Sequence, residues 1–582
     1  MTATHPPSPQ SSRFWADSSR QLWVLRLAIL VLAVGPALGL LRHEFTFDSL
    51  LIIRDNAAVH SLTAPWELFA QQYWPPPYIG GLYRPLSILL FSMEWAVGGG
   101  GPLLFHAVSI VLYAWLCLAV YRLVRLVLPP LAAWAAAALF AVHPVHTESV
   151  AVAVNQSELL VALLLTLATA SYIAARQTGA FGTQRGIGIL LLYTLACLIK
   201  EHALILPGLL LAAEVTVVVS DEPWRDRLRR LRPFYLTSAM VALTLILVRG
   251  IVLQGDVVGS FAADALVGHS MRGRLLTMLS VVPEWARLLV WPAHLQTRYS
   301  PQEIVAATGW GLDQTAGLLI LALALWGTFR LWHRQPPASF ALLWIGVALF
   351  PVHNVLVATG VVLAERTLLL ASVGTMVLAG VVLGRLAEWK GAVSSTYRLF
   401  PAIALVVLLG LGIGKTMSRY PVWHDQFTLV HQTTIDAPLS YQAHFDYANL
   451  LAQTGRAQEA ETEYRVAVEL FPDMADGTKL ARRTARVYQN LGNLYRAAGL
   501  CRPAIEAYDK ALAQSASVEY NDIRRSLIAC LLYEGDYRRG AAEARIGVAG
   551  GWDDANFRRL LITADSALAV GAPPHGVLIR LE

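Results

Sequence analysis

Twelve apolar segments, each of about 13 to 25 residues, follow one another between residues 22 and 414. About 20 apolar residues cross a bilayer as a helix, so this succession confines the first two thirds of the chain to a helical fold built in lipid. Charge separates the rest. Only 15% of the 582 residues are charged, against about 25% in a soluble domain. Residues 438–582 hold 35 of the 86 charged residues and the first 437 hold the other 51. The first part reads as membrane-embedded and the second as an ordinary soluble domain, which excludes a wholly soluble enzyme.

The segments lie near 22–41, 103–127, 130–142, 158–175, 187–199, 203–220, 234–253, 274–291, 313–331, 338–357, 363–387 and 399–414. The first lacks a small-residue cleavage site and reads as a retained helix. With Arg13 and Arg20 inside, the loops carrying Arg122 and Arg125, then Arg176 and Arg185, then Arg225 to Arg232 alternate as cytoplasmic loops should. If 274–291 crossed as well, Arg330 and Arg334 would fall outside. That segment contains Pro283, Glu284 and Arg287, so it is expected to be interfacial or re-entrant. Arg330, Arg334, Arg385, Lys390 and Arg398 then face inward, leaving eleven spans and an extracytoplasmic C-terminus. The expected domains are a cytoplasmic segment 1–21, a transmembrane domain 22–416 with a first outer loop 42–102, a linker 417–437, and a repeat domain 438–582.

The same bookkeeping gathers the unusual polar stretches on the outer face: 42–102, His143-Pro-Val-His-Thr-Glu-Ser149, Lys200-Glu201-His202, 254–312 and 353–366. Ionisable groups collected at one membrane surface point to chemistry there. The net charge of +6 comes mostly from arginines between spans, which orient the protein, so no nucleic-acid partner is implied. Cys117, Cys197, Cys501 and Cys530 show no metal-ligand spacing, and Cys501 and Cys530 could pair only if their domain is extracytoplasmic. No glycine-rich phosphate loop occurs.

The soluble part repeats a helix-turn-helix pattern. Gly455, Ala460, Tyr464, Ala467 and Pro472 keep the spacing of the tetratricopeptide consensus, as do Leu491, Gly492, Tyr495, Gly499, Ala504, Tyr508 and Ala511. A third copy starts near Asn521, with Gly535 at the turn and Gly540 where alanine is usual. Such repeats stack into a solenoid with a concave face suited to a peptide or protein, although a scaffold that only caps the membrane domain would look the same.

Several pieces together resemble the transmembrane and tetratricopeptide-repeat O-mannosyltransferases and their bacterial relatives, polytopic glycosyltransferases of the GT-C class. They are Phe47-Asp48, Tyr83-Arg84-Pro85-Leu86, Leu139 to Ala151, Lys200-Glu201, Ala364-Glu365-Arg366, and the repeats, in the family's order. The family usually has two adjacent acidic residues after the first span; here Ser49 follows Asp48. The resemblance implies an all-α GT-C protein with about eleven transmembrane helices and a repeat solenoid, in a bacterial inner membrane. It implies an inverting enzyme that moves a hexose, the family's being mannose, from a polyprenyl-phosphate carrier to a protein or peptide hydroxyl.

On that reading Asp48 is the base that takes the acceptor proton, and Lys200, Arg366 and Arg84 hold the lipid phosphate. The bland alternatives are a solvated aspartate, a Lys200 that snorkels as an anchor or pairs with Glu201, an Arg366–Glu365 pair, and an arginine that ties down a loop. His143, His146, Glu148, Gln156, Glu201, His202 and Glu365 are expected to line the outer cavity. His143, His146 and Glu148 are the residues a divalent metal would take, but hydrogen bonding is the preferred role and no metal is assigned. His202 and His353 are expected to satisfy local backbone groups, and Trp66, Tyr73, Trp74 and Tyr78 to form an interfacial belt. Two rivals stand beside the transferase: a lipid-linked glycan ligase or polymerase, and a transporter or assembly scaffold, which would place ionisable groups near the midplane of spans.

Overall fold

The computed structural model describes residues 19–78, 81–220, 222–255, 263–266, 268–299, 303–388, 400–471, 479–514, 521–550 and 554–573. Arg13, Lys390, Arg398 and Pro472 lie outside the described residues, as does most of 1–21. No strand occurs among the described residues, so the chain is all-α. They fall into two compact units, the first within Met1–Ala262, Gly268–Leu295 and Ala307–Leu429, the second within Ala263–Val267, Gln296–Ala306 and Val430–Glu582.

In the first unit seven helices are long and apolar enough to cross a membrane: Arg20–Arg42, Pro102–Val124, Ala153–Gln177, Trp224–Val252, Leu312–Leu331, Glu365–Leu386 and Phe400–Trp423. Four apolar helices are shorter: Pro85–Gly98, Pro130–Ala141, Thr183–Ile199 and Pro336–Val352. A chain with seven such helices is a multi-pass membrane protein. Prolines 85, 102, 130 and 336 open their helices, where the missing N–H costs nothing. Met271–Val290 is a continuous helix of 20 residues with Pro283 inside it, yet it does not reach the hydropathy of the seven. Two stretches differ from the expected pattern. The apolar run 203–220 forms only the 11-residue helix Leu206–Thr216 after a 3-10 turn at Glu201–Ile205, and the first outer loop contains the 14-residue apolar helix Pro85–Gly98. The spans pack through small residues: the alanine-rich helix Pro130–Ala141 lies against the helix Leu369–Glu388, where Gly380 meets the Ala132 carbonyl.

One side chain clips the loop that leads to Arg366. Asn354 is fully buried with a positive φ of 54°; its Nδ2 donates to the Val352 and Val361 carbonyls at 3.1 and 3.0 Å, and its Oδ1 accepts the Thr359 N–H at 2.6 Å. Asparagine tolerates this left-handed conformation better than most residues. Asn354→Ala is expected to cost about 1–3 kcal/mol, the penalty of buried groups left unbonded, and to open 354–361 to added protease. Unchanged cleavage there would show that the loop is held by other contacts.

The second unit carries the repeats as helix pairs Tyr441–Gln453 with Ala457–Glu469, Lys479–Ala497 with Cys501–Ala513, and Asn521–Glu534 with Tyr537–Ala549, followed by Asp554–Val570. The consensus residues do what their types suggest. Gly455, Gly499 and Gly535 turn the chain with φ of 79°, 74° and 86°. Ala460, Tyr464, Ala467, Ala504, Tyr508 and Ala511 are all buried. Gly492 is required by packing, since a Cβ there would lie 2.6 Å from the Tyr508 ring. All four cysteines are free thiols and buried, Cys501 and Cys530 included.

Candidate active site

Four connections between helices carry the predicted residues of the first unit that come together. The turn after the first span carries Asp48; the segment before Pro85 carries Tyr73 and Arg84; the turn after Ile199 carries Lys200, Glu201 and His202; the 3-10 turn Glu365–Leu368 carries Arg366. Arg84 grips Glu201 with two parallel hydrogen bonds, 2.9 Å from Nε and 2.6 Å from Nη2. This fork geometry is the strongest pairing an arginine makes with a carboxylate. Lys200 pairs through Nζ with Glu158, and His202 Nε2 lies 3.5 Å from the same carboxylate. Arg366 pairs with Glu148 through its guanidinium and donates its backbone N–H to Glu148 Oε2 at 2.9 Å.

The pairs form one electrostatic neighbourhood. Asp48 is within reach of Arg366 and Tyr73, Glu158 of Arg84 and Arg366, and Lys200 of Arg84 and Arg366. Burial lowers the Lys200 ammonium below its usual value despite Glu158 beside it. Burial works to raise the Glu201 carboxyl, yet Arg84, with Lys200 and Arg249, holds it well below the usual carboxylate range. Each of the three cations is matched by a carboxylate. An entering anion that displaced Glu148 or Glu158 would leave that buried carboxylate without its cation, so donor phosphate has to be met while these pairs stay formed.

Several expectations change in detail. Arg366 is paired with Glu148, and Lys200 with Glu158, where the bland alternatives named their neighbours Glu365 and Glu201. Glu365 is buried in the same turn as Arg366. His202 faces the Glu158 carboxylate instead of the backbone, whereas His353 does bond locally, to the Phe350 carbonyl. His143 bonds the Leu289 carbonyl at 3.2 Å, and His146 lies between Tyr113 Oη at 2.9 Å and Ser372 Oγ at 2.8 Å. With Glu148 turned to Arg366, these three have separate partners, and no group of three or more His, Cys, Asp or Glu side chains able to hold a metal occurs among the described residues. Gln156 is apart from the cluster: its Nε2 bonds Glu94 at 3.0 Å and the Phe105 carbonyl at 2.9 Å. Ser49, in place of a second acid, is fully buried and accepts the Val154 N–H at 3.2 Å.

Sequence reasoning placed Tyr73 in the interfacial belt and missed Glu94, which lies with Gln156 apart from the cluster. Tyr73 is buried under the Arg84 guanidinium, 4.8 Å from the ring centroid, while Trp66 and Tyr78 are exposed. Glu94, inside an apolar helix, is buried against Gln156. Its position in an otherwise apolar run was the one available signal.

No family model matches the sequence. Curated relatives do. The chain is 27% identical over 507 residues to protein O-mannosyl-transferase TMTC1 of Homo sapiens, covering 78% of this chain and 55% of that protein. It is 24% identical over 470 residues to protein O-mannosyl-transferase F38B6.6 of Caenorhabditis elegans, covering 78% and 64%. The chain thus spans between about half and two thirds of the length of these relatives. Among solved structures, the apo oligosaccharyltransferase of Archaeoglobus fulgidus aligns with a TM-score of 0.39 and 15% identity over 68% of this chain and 56% of that one. Over 78% of its length, then, the chain is similar to curated protein O-mannosyl-transferases, the family that its motifs resemble.

Proposed function

We propose that this protein is an inverting, membrane-embedded glycosyltransferase of the GT-C type that moves a hexose, mannose by the names of its relatives, from a polyprenyl-phosphate carrier to a hydroxyl of a protein or peptide. The observation that carries the reading is the single cluster of Asp48 with Arg84, Lys200 and Arg366 at the ends of apolar helices. The leaving phosphate gains charge as the glycosidic bond breaks, and fixed cations at headgroup depth stabilise that charge. The carboxylate takes the acceptor proton as the hydroxyl attacks the anomeric carbon. One direct displacement inverts the configuration.

Sidedness has a physical ruler. Glu158 and Arg176 begin and end the helix Gln156–Gln177, and 18 residues at 1.5 Å each separate them by about 27 Å, close to a bilayer core. Arg176 joins Arg227 on Glu214 at the far end. By the positive-inside bias that end is cytoplasmic and the cluster faces out. The preferred span count puts the repeats outside as well, where they present the acceptor.

The test uses purified protein in lipid nanodiscs with radiolabelled polyprenyl-phosphate mannose and serine- or threonine-containing peptides. Label is expected on peptide; transfer only to glycan would favour the ligase reading, and no transfer to any acceptor would overturn both. Lys200→Ala should weaken donor binding roughly 10- to 150-fold, equivalent to a charge-assisted bond of about 1.5–3 kcal/mol. Because that variant strands Glu158, Lys200→Ala with Glu158→Gln is the control. Donor affinity restored in the double variant would make Lys200 a structural partner only.

A further inference from the structure

Immediately before Asp48 the backbone is strained. Phe47 has φ of 55°, a left-handed conformation that a bulky residue adopts only where its surroundings over-determine it. Those surroundings are specific. The Phe47 N–H donates to Gln426 Oε1 at 3.0 Å. Its ring meets Trp423 edge-on at 6.3 Å and lies under the Arg366 guanidinium at 5.9 Å. Three residues earlier the Glu44 N–H donates to the His424 carbonyl at 2.8 Å, and on the other side the Ser49 N–H closes a turn on Thr46 at 3.1 Å. Asp48 therefore sits in a short turn pinned on both flanks, and one pinning atom comes from a side chain 379 residues away.

We infer that Gln426 is a positioning residue for Asp48: by accepting the Phe47 N–H it holds Phe47 left-handed and so fixes the direction in which the neighbouring carboxylate points. This rests on the proposed function, with Asp48 as base. Arg366 lies over the ring of the same residue, so the group assigned to donor phosphate and the group assigned to the acceptor proton meet through Phe47.

Gln426→Leu keeps bulk and removes the acceptor; Gln426→Glu keeps an oxygen in the same place. Hydrogen exchange at the Phe47 amide reads the latch without any need for catalysis. Protection of that amide is expected to fall at least tenfold in Gln426→Leu and to remain in Gln426→Glu, with the thermal midpoints of both close to the parent protein. Transfer assays add a second reading: Gln426→Leu should lower kcat about tenfold while donor Kd stays within twofold, and Gln426→Glu should recover most of the rate. Unchanged Phe47 protection in Gln426→Leu would overturn the latch whatever the activity. Lost protection with an unchanged kcat would overturn the positioning role. If the parent protein transfers no sugar at all, the functional reading fails, and with it the role assigned to the latch.

Discussion

Asp48→Asn is expected to fold, to bind the lipid-linked sugar as tightly as the parent chain, and to transfer it at least about 100-fold more slowly, the lower end of what a positioned general base contributes. The substitution keeps volume and hydrogen-bonding capacity but removes the proton acceptor. Its surroundings make it informative. Arg366 lies within electrostatic reach of Asp48, so neutralising the carboxylate leaves that cation, if anything, more available to donor phosphate. A loss of donor affinity together with rate would therefore indicate that Asp48 serves the fold. Full transferase activity would remove it from the mechanism, and the general-base step would need another group.

How far the sequence leads depends on whether a contact is local. Repeat turns were legible because Gly455, Gly499 and Gly535 act through their own backbone, and Tyr464 and Tyr508 pack on the paired helix a fixed number of residues away. The members of the cluster were legible too, as charged residues at the edges of apolar runs. Their pairing was not. Arg84 chooses Glu201, 117 residues on, and Arg366 chooses Glu148, 218 residues back, because helix packing sets those distances. The bland alternative for Arg366, a pair with its neighbour Glu365, gives way to the pair with Glu148 for that reason. Tyr73 was hidden in the same way: aromatic residues near a membrane surface all look alike until one is covered by a guanidinium. Gln426 carries no pattern at all. The arginines counted as orientation signals also proved to have individual duties, since Arg176 and Arg227 both end on one acid.

That acid is Glu214, almost wholly buried, which accepts from Arg176 at 2.6 and 2.9 Å, from Arg227 at 2.7 and 3.1 Å, and from the Tyr172 hydroxyl at 2.9 Å. It joins the ends of three helices, Gln156–Gln177, Leu206–Thr216 and Trp224–Val252. Glu214→Ala would leave two guanidinium groups facing a void without the carboxylate they share, and losing one side of a buried pair costs about 3–5 kcal/mol. A large drop in the thermal midpoint in detergent or nanodiscs is expected. Glu214→Gln, which retains one acceptor oxygen, should lose less. Replacing the charges together, as Glu214→Leu with Arg176→Met and Arg227→Met, should recover part of the loss, because an apolar cluster of similar volume avoids the desolvation of three ions. Transfer at a temperature where Glu214→Ala is still folded should be near normal, since the cluster proposed to be catalytic lies at the other end of the helix, about 27 Å away. A Glu214→Ala protein as stable as its parent would show that Arg176 and Arg227 are solvated in the membrane-bound protein and that this cluster does not tie the three helices together.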